Sequence, residues 1–379
     1  MIDAEKIGFS NDSYSIKTDP SSDAVISRDN SGQEQFIEEF LKFYSAEVLS
    51  EGESFHYETF YDYYKELHYY YLSLLAEKPS SLDNYTAFVE RFRSSHRIDT
   101  ADLQLLYHFD LAFNQFIAGL LSKNLGTSYL LKPYGKEYQA FLQLVEVLGK
   151  NYTVHFHTLN HDVYLERLSF SQSMRGELDD GFEELGSPFY GELQYCHEAY
   201  KVRLERFEDR YESCFRLYKL HGSIDYYATP DQADLVKLKR KSSINRDTIL
   251  KEVLDQKNLK SSYDRLGMET QPRFLSGTTA KLGGYSKGVY YPKVLEHFKQ
   301  NLEQSNTLVV IGYGFGDTKI NEHIETSFFG NGRKQMFVVD VSKPDTHLLQ
   351  RENVHYLGGG VTGMDTRRIL QSLTQHELR

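Results

Sequence analysis

From about residue 33 the apolar positions of the chain recur at three- and four-residue intervals. Phe36, Ile37, Phe40, Phe43 and Tyr44 fall on one face, which predicts a helix. The stretch "FHYETFYDYYKELHYYYLSLL" keeps that period with dense aromatics. Leu106, Phe109, Phe113, Phe116, Ile117 and Leu120 predict another helix, with Thr100 placed to cap it. A further one, from near Glu137 to Leu148, stops at Gly149. Residues 33–148 therefore read as an all-helical region. The period changes at residue 151, where Tyr152, Val154 and Phe156 alternate with Thr153, His155 and His157 as in a strand. A second strand is expected at "FRLYKLHGS", followed by a polar, turn-rich region near 228–288. A helix carrying Val294, Leu295, Phe298 and Leu302 then leads into "TLVVIGYGFGD", an apolar strand ending in a glycine turn. A helix from about Thr318, the strand "MFVVDVS", the short strand "VHYLG" and a final helix complete the chain. Strands alternating with helices in this way predict an α/β fold with a parallel, doubly wound sheet. Residues 1–32 are rich in Ser, Asp and Asn without periodicity and are expected to be mobile. No internal repeat is visible.

Composition narrows the function. At 379 residues the chain has ample apolar material for a large core. No run approaches eighteen apolar residues and the first residues lack a basic-then-apolar signal pattern, so the expected location is the cytoplasm, away from the membrane. Cys196 and Cys214 are the two cysteines, too few for a disulfide framework or a four-cysteine zinc site. The net charge of −11 opposes a general attraction to nucleic acid, and no direct nucleic-acid binding is expected. One basic run, "KLKRK" at Lys237 to Lys241, reads as a solvated loop. The chain has 29 tyrosines and 24 phenylalanines and no tryptophan, a composition that suits an oligomer interface. Tyr63, Tyr64, Tyr69, Tyr70 and Tyr71 exceed what one buried helix face uses, so some are expected to face outward and touch other chains.

Four stretches carry candidate chemistry. In "VVIGYGFGD", Gly312, Gly314 and Gly316 allow a sharp turn and close approach of a ligand, and the next helix would direct N–H groups at a phosphate or ribose. Asp317 stands where a dinucleotide fingerprint would have its third glycine, so a plain strand-to-helix turn explains the stretch equally well. Asp340 ends the next strand, where a carboxylate either binds ribose hydroxyls or caps a turn. His221 closes an apolar segment just before Gly222, a position from which a histidine can act as a general base. Thr158, Asn160 and Asp162 cluster at the end of the first strand, suited to fixing a ribose, a water and a carboxamide, or to an Asx-type turn.

The order of these pieces resembles the Sir2 family of NAD-consuming enzymes, and most of all its bacterial SIR2-like branch used in anti-phage defence. The family's T-x-N-x-D is matched by Thr158, Asn160 and Asp162, and its catalytic H-G by His221 and Gly222. "IGYGFGDTKIN" is similar to that branch's "IGYSFGD..IN" and supplies Gly312, Gly314, Phe315, Asp317 and Asn321. The resemblance covers roughly residues 150–360. It implies a Sir2-like Rossmann-type domain over 149–379 with the helical region as an insertion. It also implies a zinc-independent NAD+ hydrolase (NADase) that cleaves NAD+ to nicotinamide and ADP-ribose, with NAD+ as substrate and no metal. Asn160 would position water, His221 would act as base and Asp162 would orient the carboxamide end. Thr158, Gly222, Ser223, Gly312, Gly314, Phe315, Asp317, Asn321 and Asp340 would line the nucleotide site. Two departures stand out. The paired C-x-x-C motifs of lysine-deacylating members are missing, and so is a Gly-Ala-Gly loop for the pyrophosphate, with "IGFS" at Ile7 to Ser10 its nearest remnant. A chain of this size also resembles, by architecture, the Sir2 partner of a HerA-type hexameric ATPase, and homo-oligomers are expected. The competing readings are a sensor or assembly subunit that binds NAD or ADP-ribose without cleaving it, and a Rossmann-type oxidoreductase.

Overall fold

The computed structural model describes most of residues 31–379, apart from 50–56, 97–100, most of 102–137, 196–197, 230–233, 239–248, 267–271, 276–287, 331–333, 378–379 and a few single positions. The expected N-cap Thr100, the helix face from Phe113 to Leu120, Cys196 and the Ile7 to Ser10 remnant lie outside the described residues.

Three helices open the described chain: α1 (Ser31–Phe43), α2 (Tyr57–Tyr71) and α3 (Leu82–His96). Their apolar stripes close on one aromatic cluster of Phe36, Phe40, Phe60, Tyr64, Tyr85, Phe88 and Phe109. Phe40 is the hub, with ring centroids of Phe60, Tyr85, Phe88 and Phe109 all 5.4–5.5 Å away. The expectation of outward tyrosines is corrected here. Tyr64 is buried, Tyr63, Tyr69, Tyr70 and Tyr71 are half-buried, and none of the five is exposed. Phe40 of α1 packs on Tyr63 and Tyr85 of α3 on Tyr71, so α2 is contacted by both neighbours, which a helix period by itself does not report.

The remaining helices are α4 (Gln139–Gly149), α5 (Tyr164–Leu168), α6 (Tyr290–Gln304), α7 (Thr318–His323) and α8 (Thr366–Glu377). They surround two parallel half-sheets. In the first, β1 (Val154–Thr158), β7 (Phe215–Lys219) and β2 (Leu178–Asp179) lie in the order β1-β7-β2, with Thr158 opposite Lys219. In the second, β12 (Thr307–Ile311), β13 (Gln335–Val339) and β14 (Val354–Leu357) lie in that order, with Ile311 opposite Val339. The continuous apolar runs of β12 and β13 are what a sheet covered on both faces requires.

One helix on each face straddles the two halves. On one side, Leu144 of α4 joins the cluster of Phe337, Val339 and Ile369, while its neighbour Val145 joins Met174 and Phe215 beneath the first half. On the other, Val294, Phe298 and Leu302 of α6 pack with both Tyr218 of β7 and Val310, Met336 and Val338. The result is a three-layer α/β/α body. β1 and β12 are the facing edges, and a cleft of ≈ 980 Å³ runs between them.

Where it is described, the region near 228–288 carries four short strands, which join strands from 181–210 in two antiparallel sheets. β3 (Gly181–Glu183), β6 (Glu205–Arg210), β9 (Leu235–Lys237) and β8 (Tyr226–Ala228) form one sheet. β11 (Lys260–Arg265), β10 (Leu250–Asp255), β4 (Phe189–Tyr195) and β5 (Glu198–Arg203) form another. Lys237 of the basic run is not in a solvated loop: it sits buried on β9, paired with Asp180. Burial by itself would push the ammonium down, but Asp180 together with Asp225, Glu166 and Glu205 outweighs it, so the lysine is held well above its usual range.

Candidate functional site

The first polar cluster sits where β1 ends. Thr158 Oγ1 accepts from the Asn160 backbone N–H at 3.1 Å, and Asp162 Oδ1 accepts from the Tyr164 N–H at 2.8 Å at the start of α5. The Asx-type turn is thus present. Thr158, Asn160 and Asp162 also line the cleft, and the Asn160 side chain belongs to an exposed residue. His155 and His157 line the same cleft farther down β1. Burial, with help from Arg216, lowers His155 to about 4, and burial also holds His157 well below its usual range. Both rings are therefore neutral at pH 7.

The next segment clamps that loop. The Leu220 N–H donates to the Thr158 carbonyl (2.9 Å), and the Ile224 N–H (3.0 Å) and Ser223 Oγ (3.2 Å) both donate to the His161 carbonyl. Gly222 takes φ 80°, a left-handed conformation suited to glycine, and pairs with Phe274 in an isolated bridge. His221 is 2 % exposed, and its Nε2 lies 3.2 Å from Asp317 Oδ2. Its ring centroid stands 6.1 Å from that of His161, which packs on Phe274 at 4.6 Å.

The glycine loop supplies the other side. Asp317 Oδ1 accepts from the backbone N–H groups of Lys319 (3.0 Å) and Ile320 (3.2 Å), so one carboxylate both caps α7 and faces His221. Gly312 takes φ 64° and Phe315, a buried aromatic, takes φ 59°, a strained conformation for a bulky residue. The loop is braced from within. Asn321 Nδ2 donates to the Phe315 carbonyl (2.8 Å), and the Tyr313 hydroxyl lies 2.9 Å from Asn321 Oδ1 and 3.1 Å from the Asp317 carbonyl. Among the described residues, nothing beyond the chain neighbours lies within 4 Å of where a Cβ would stand on Gly312, Gly314 or Gly316, so those residues leave this flank of the loop uncovered. Asp340 follows β13 beside it, its Oδ1 accepting from Ser342 N–H at 3.2 Å.

The expected residues therefore fall into three groups. Thr158, Asn160 and Asp162 face the cleft. His221 and Asp317 form a buried pair. Ser223 and Asn321 hold loops together through their side chains. Sequence reasoning placed Asp317 only at the nucleotide and missed its contact with His221, 96 residues away. It also missed Lys219 and Glu166, which lie side by side under the first loop. The signal for Lys219 was its position: it follows Phe215 and Leu217 at two-residue spacing on a strand face that those residues mark as buried. Among the described residues no cluster of three or more His, Cys, Asp or Glu could hold a metal ion, and no helix is long and apolar enough to cross a membrane.

No protein-family model matches the chain, and no curated protein matches it. Among solved structures, a histidine-to-asparagine variant of a Sir2 homologue in complex with ADP-ribose aligns at TM-score 0.32 with 13% identity, covering 63% of this chain and 68% of that one. A structure described as the structural basis for the mechanism and regulation of Sir2 enzymes aligns at TM-score 0.34 with 11% identity, covering 76% and 88%. A second variant of a Sir2 homologue with ADP-ribose aligns at 0.26 with 12% identity, covering 44% and 58%.

Proposed function

We propose that the chain is an NAD+ glycohydrolase that releases nicotinamide and ADP-ribose. The observation that carries this reading is the buried His221–Asp317 pair at 3.2 Å, formed beside loops whose outer face presents Thr158, Asn160 and Asp162 to the cleft. With Asp317 Oδ2 accepting from Nε2–H, the imidazole is fixed in the tautomer that leaves Nδ1 as the basic nitrogen. Asp317 is itself held by two backbone donors, so it orients the ring without moving.

In this mechanism the carboxamide end of NAD+ lies near Asp162 and the open flank of the glycine loop receives the nucleotide. The C–N glycosidic bond breaks through an oxocarbenium-like state, and nicotinamide leaves with the bonding pair. A water held by Asn160 forms the new C–O bond and gives its proton to His221. No step calls on a metal, and a chelator is expected to leave the rate unchanged.

Purified protein should release nicotinamide from NAD+, and His221→Ala should lower that rate by roughly two orders of magnitude. Wild-type turnover in a folded His221→Ala protein would sink the mechanism. The deep burial of His221, which is not among the cleft-lining residues, favours a second reading in which ADP-ribose or NAD+ is bound and not cleaved. Calorimetric binding of ADP-ribose with no nicotinamide release would select it.

The ordered motifs support a role in anti-phage defence by NAD depletion, with activity governed by assembly as a homo-oligomer or with a HerA-type ATPase. A cytoplasmic enzyme of this kind must be held silent at rest. Sedimentation of the protein with and without such an ATPase, read beside nicotinamide release, tests that control.

A further inference from the structure

Lys219 ends β7 with 0 % of its surface exposed, two residues before His221. Its Nζ donates to the main-chain carbonyl of Asp162 and lies 2.9 Å from Glu166 Oε1. Its own carbonyl is fixed in turn, accepting from the Gly222 N–H at 3.0 Å and the Tyr290 hydroxyl at 3.1 Å. One residue thereby touches both catalytic loops: its backbone sets the His221–Gly222 turn, and its side chain reaches the end of the Asn160 loop.

Burying an ammonium and a carboxylate together is costly, and packed apolar residues commonly serve stability as well or better. The charges around this pair make the cost plain. Burial pushes Glu166 up, against the pull of Lys219, and Lys237 and Asp225 act on the same carboxylate. A carbonyl at a loop end, unlike a carboxylate, has no apolar substitute, because only a donor can hold it in place. Among the described residues, further bonds from the β7 turn to the Asn160 loop run from the Leu220 and Ile224 backbone and from Ser223 to Thr158 and His161. None of these reaches Asp162.

We propose that Lys219 is a positioning residue: its buried ammonium, bridging the Asp162 carbonyl and Glu166, locks the water-holding Asn160 loop in register with His221. Glu166 compensates the charge and Asp162 receives the positioning bond. The kinetic consequence rests on the NAD-hydrolysing reading, and the structural consequence rests on geometry alone.

Two variants separate the roles. Lys219→Met keeps the volume of the side chain and removes the donor, stranding Glu166. Lys219→Met/Glu166→Gln removes the stranded charge as well but restores nothing to Asp162. The single variant should have a lowered thermal midpoint, which the double variant largely recovers. In both, amide exchange of a peptide covering residues 158–166 should quicken at least about tenfold, while β13 keeps wild-type protection. In both, kcat for nicotinamide release should fall roughly 10- to 100-fold, the scale of a misplaced reacting group, with KM for NAD+ within about threefold of wild type.

Wild-type exchange over 158–166 in the folded double variant would overturn the proposal, whatever the protein does with NAD+. So would recovery of kcat along with stability in that variant, which would make Lys219 a structural charge partner and nothing more. If wild-type protein releases no nicotinamide, the hydrolase reading fails by that result, and the exchange measurement still decides the tether.

Discussion

The two parallel half-sheets have the same number of strands and are covered by the same two helices, yet they are built from different chemistry. In the second, Met336, Phe337, Val338 and Val339 are each at most 1 % exposed, and nothing charged interrupts them. In the first, every residue of β1 is only half-buried, two of the five are histidines, and β7 ends in a buried lysine. The second half is a frame held by removal of apolar surface from water. The first half holds its shape through directed polar bonds, from Leu220, Ser223, Ile224 and Lys219 to the Asn160 loop. Its bonds fix positions; the frame's contacts fix free energy.

The sharpest break of that contrast is in the frame. Phe337→Ala should cost about 3–5 kcal/mol of stability, read from urea unfolding, while the folded fraction keeps wild-type KM. A loss below about 1 kcal/mol would show that the second half is not the frame.

Next in size are the site residues of the first half. Asn160→Ala should lose roughly two orders of magnitude in nicotinamide release with an unchanged thermal midpoint, because that residue is exposed. His221→Ala should lose as much activity and also about 1–3 kcal/mol of stability, since its removal strands a buried carboxylate. Equal stability costs for the two would erase the distinction between an exposed and a buried partner in one reaction.

Acid should act most through the paired histidines of the first half, with a further contribution from His355 on β14, which burial also lowers. His155 is held at about 4 in the folded protein against 6.5 for a free histidine, and His157 is lowered further by burial. Between those values the unfolded chain takes up protons that the folded protein refuses, so this contribution is whole above pH 6.5 and shrinks as pH falls toward 4. Solvent around the half-exposed His155 moderates the size. His155→Gln with His157→Gln should flatten the dependence of the unfolding midpoint on pH across that window. An unaltered slope would place the effect elsewhere.

The smallest effect separates two glycines of one loop. Gly312 has φ 64°, so Gly312→Ala should cost about 1–2 kcal/mol. Gly314 has no positive φ and, among the described residues, nothing beyond its chain neighbours within 4 Å of an added Cβ, so Gly314→Ala should leave stability within about 0.5 kcal/mol. A weaker affinity for ADP-ribose in that silent variant, measured by calorimetry, would mark the loop as a ligand wall.

The frame was the more legible half. "TLVVI" and "MFVV" are continuous apolar runs, and the second, buried along its length, can be written in few other ways. The antiparallel strands were hidden because their sequences, such as "KSSYDR" and "ERFEDR", meet solvent along much of their length and show no apolar alternation. In the candidate site, motif order singled out Asn160, His221 and Asp317 but not which of them meet. The tie between His221 and Asp317 is a tertiary contact with no local trace, as is the reach of Lys219 to a carbonyl that has no side-chain signature. The tyrosines of α2 failed for a related reason: periodicity gives the direction a residue faces, and the number of surrounding layers is set by the rest of the chain.

The 96-residue separation of His221 and Asp317 also has a meaning in time. A ribosome adding about 5–20 residues per second needs roughly 5–20 s to pass from one to the other. During that interval a nascent chain carries the imidazole, the Asn160 loop and the Lys219 tether, but not the carboxylate that orients the ring. On the hydrolase reading proposed above, a chain interrupted within that interval would lack the His221–Asp317 pair and release no nicotinamide.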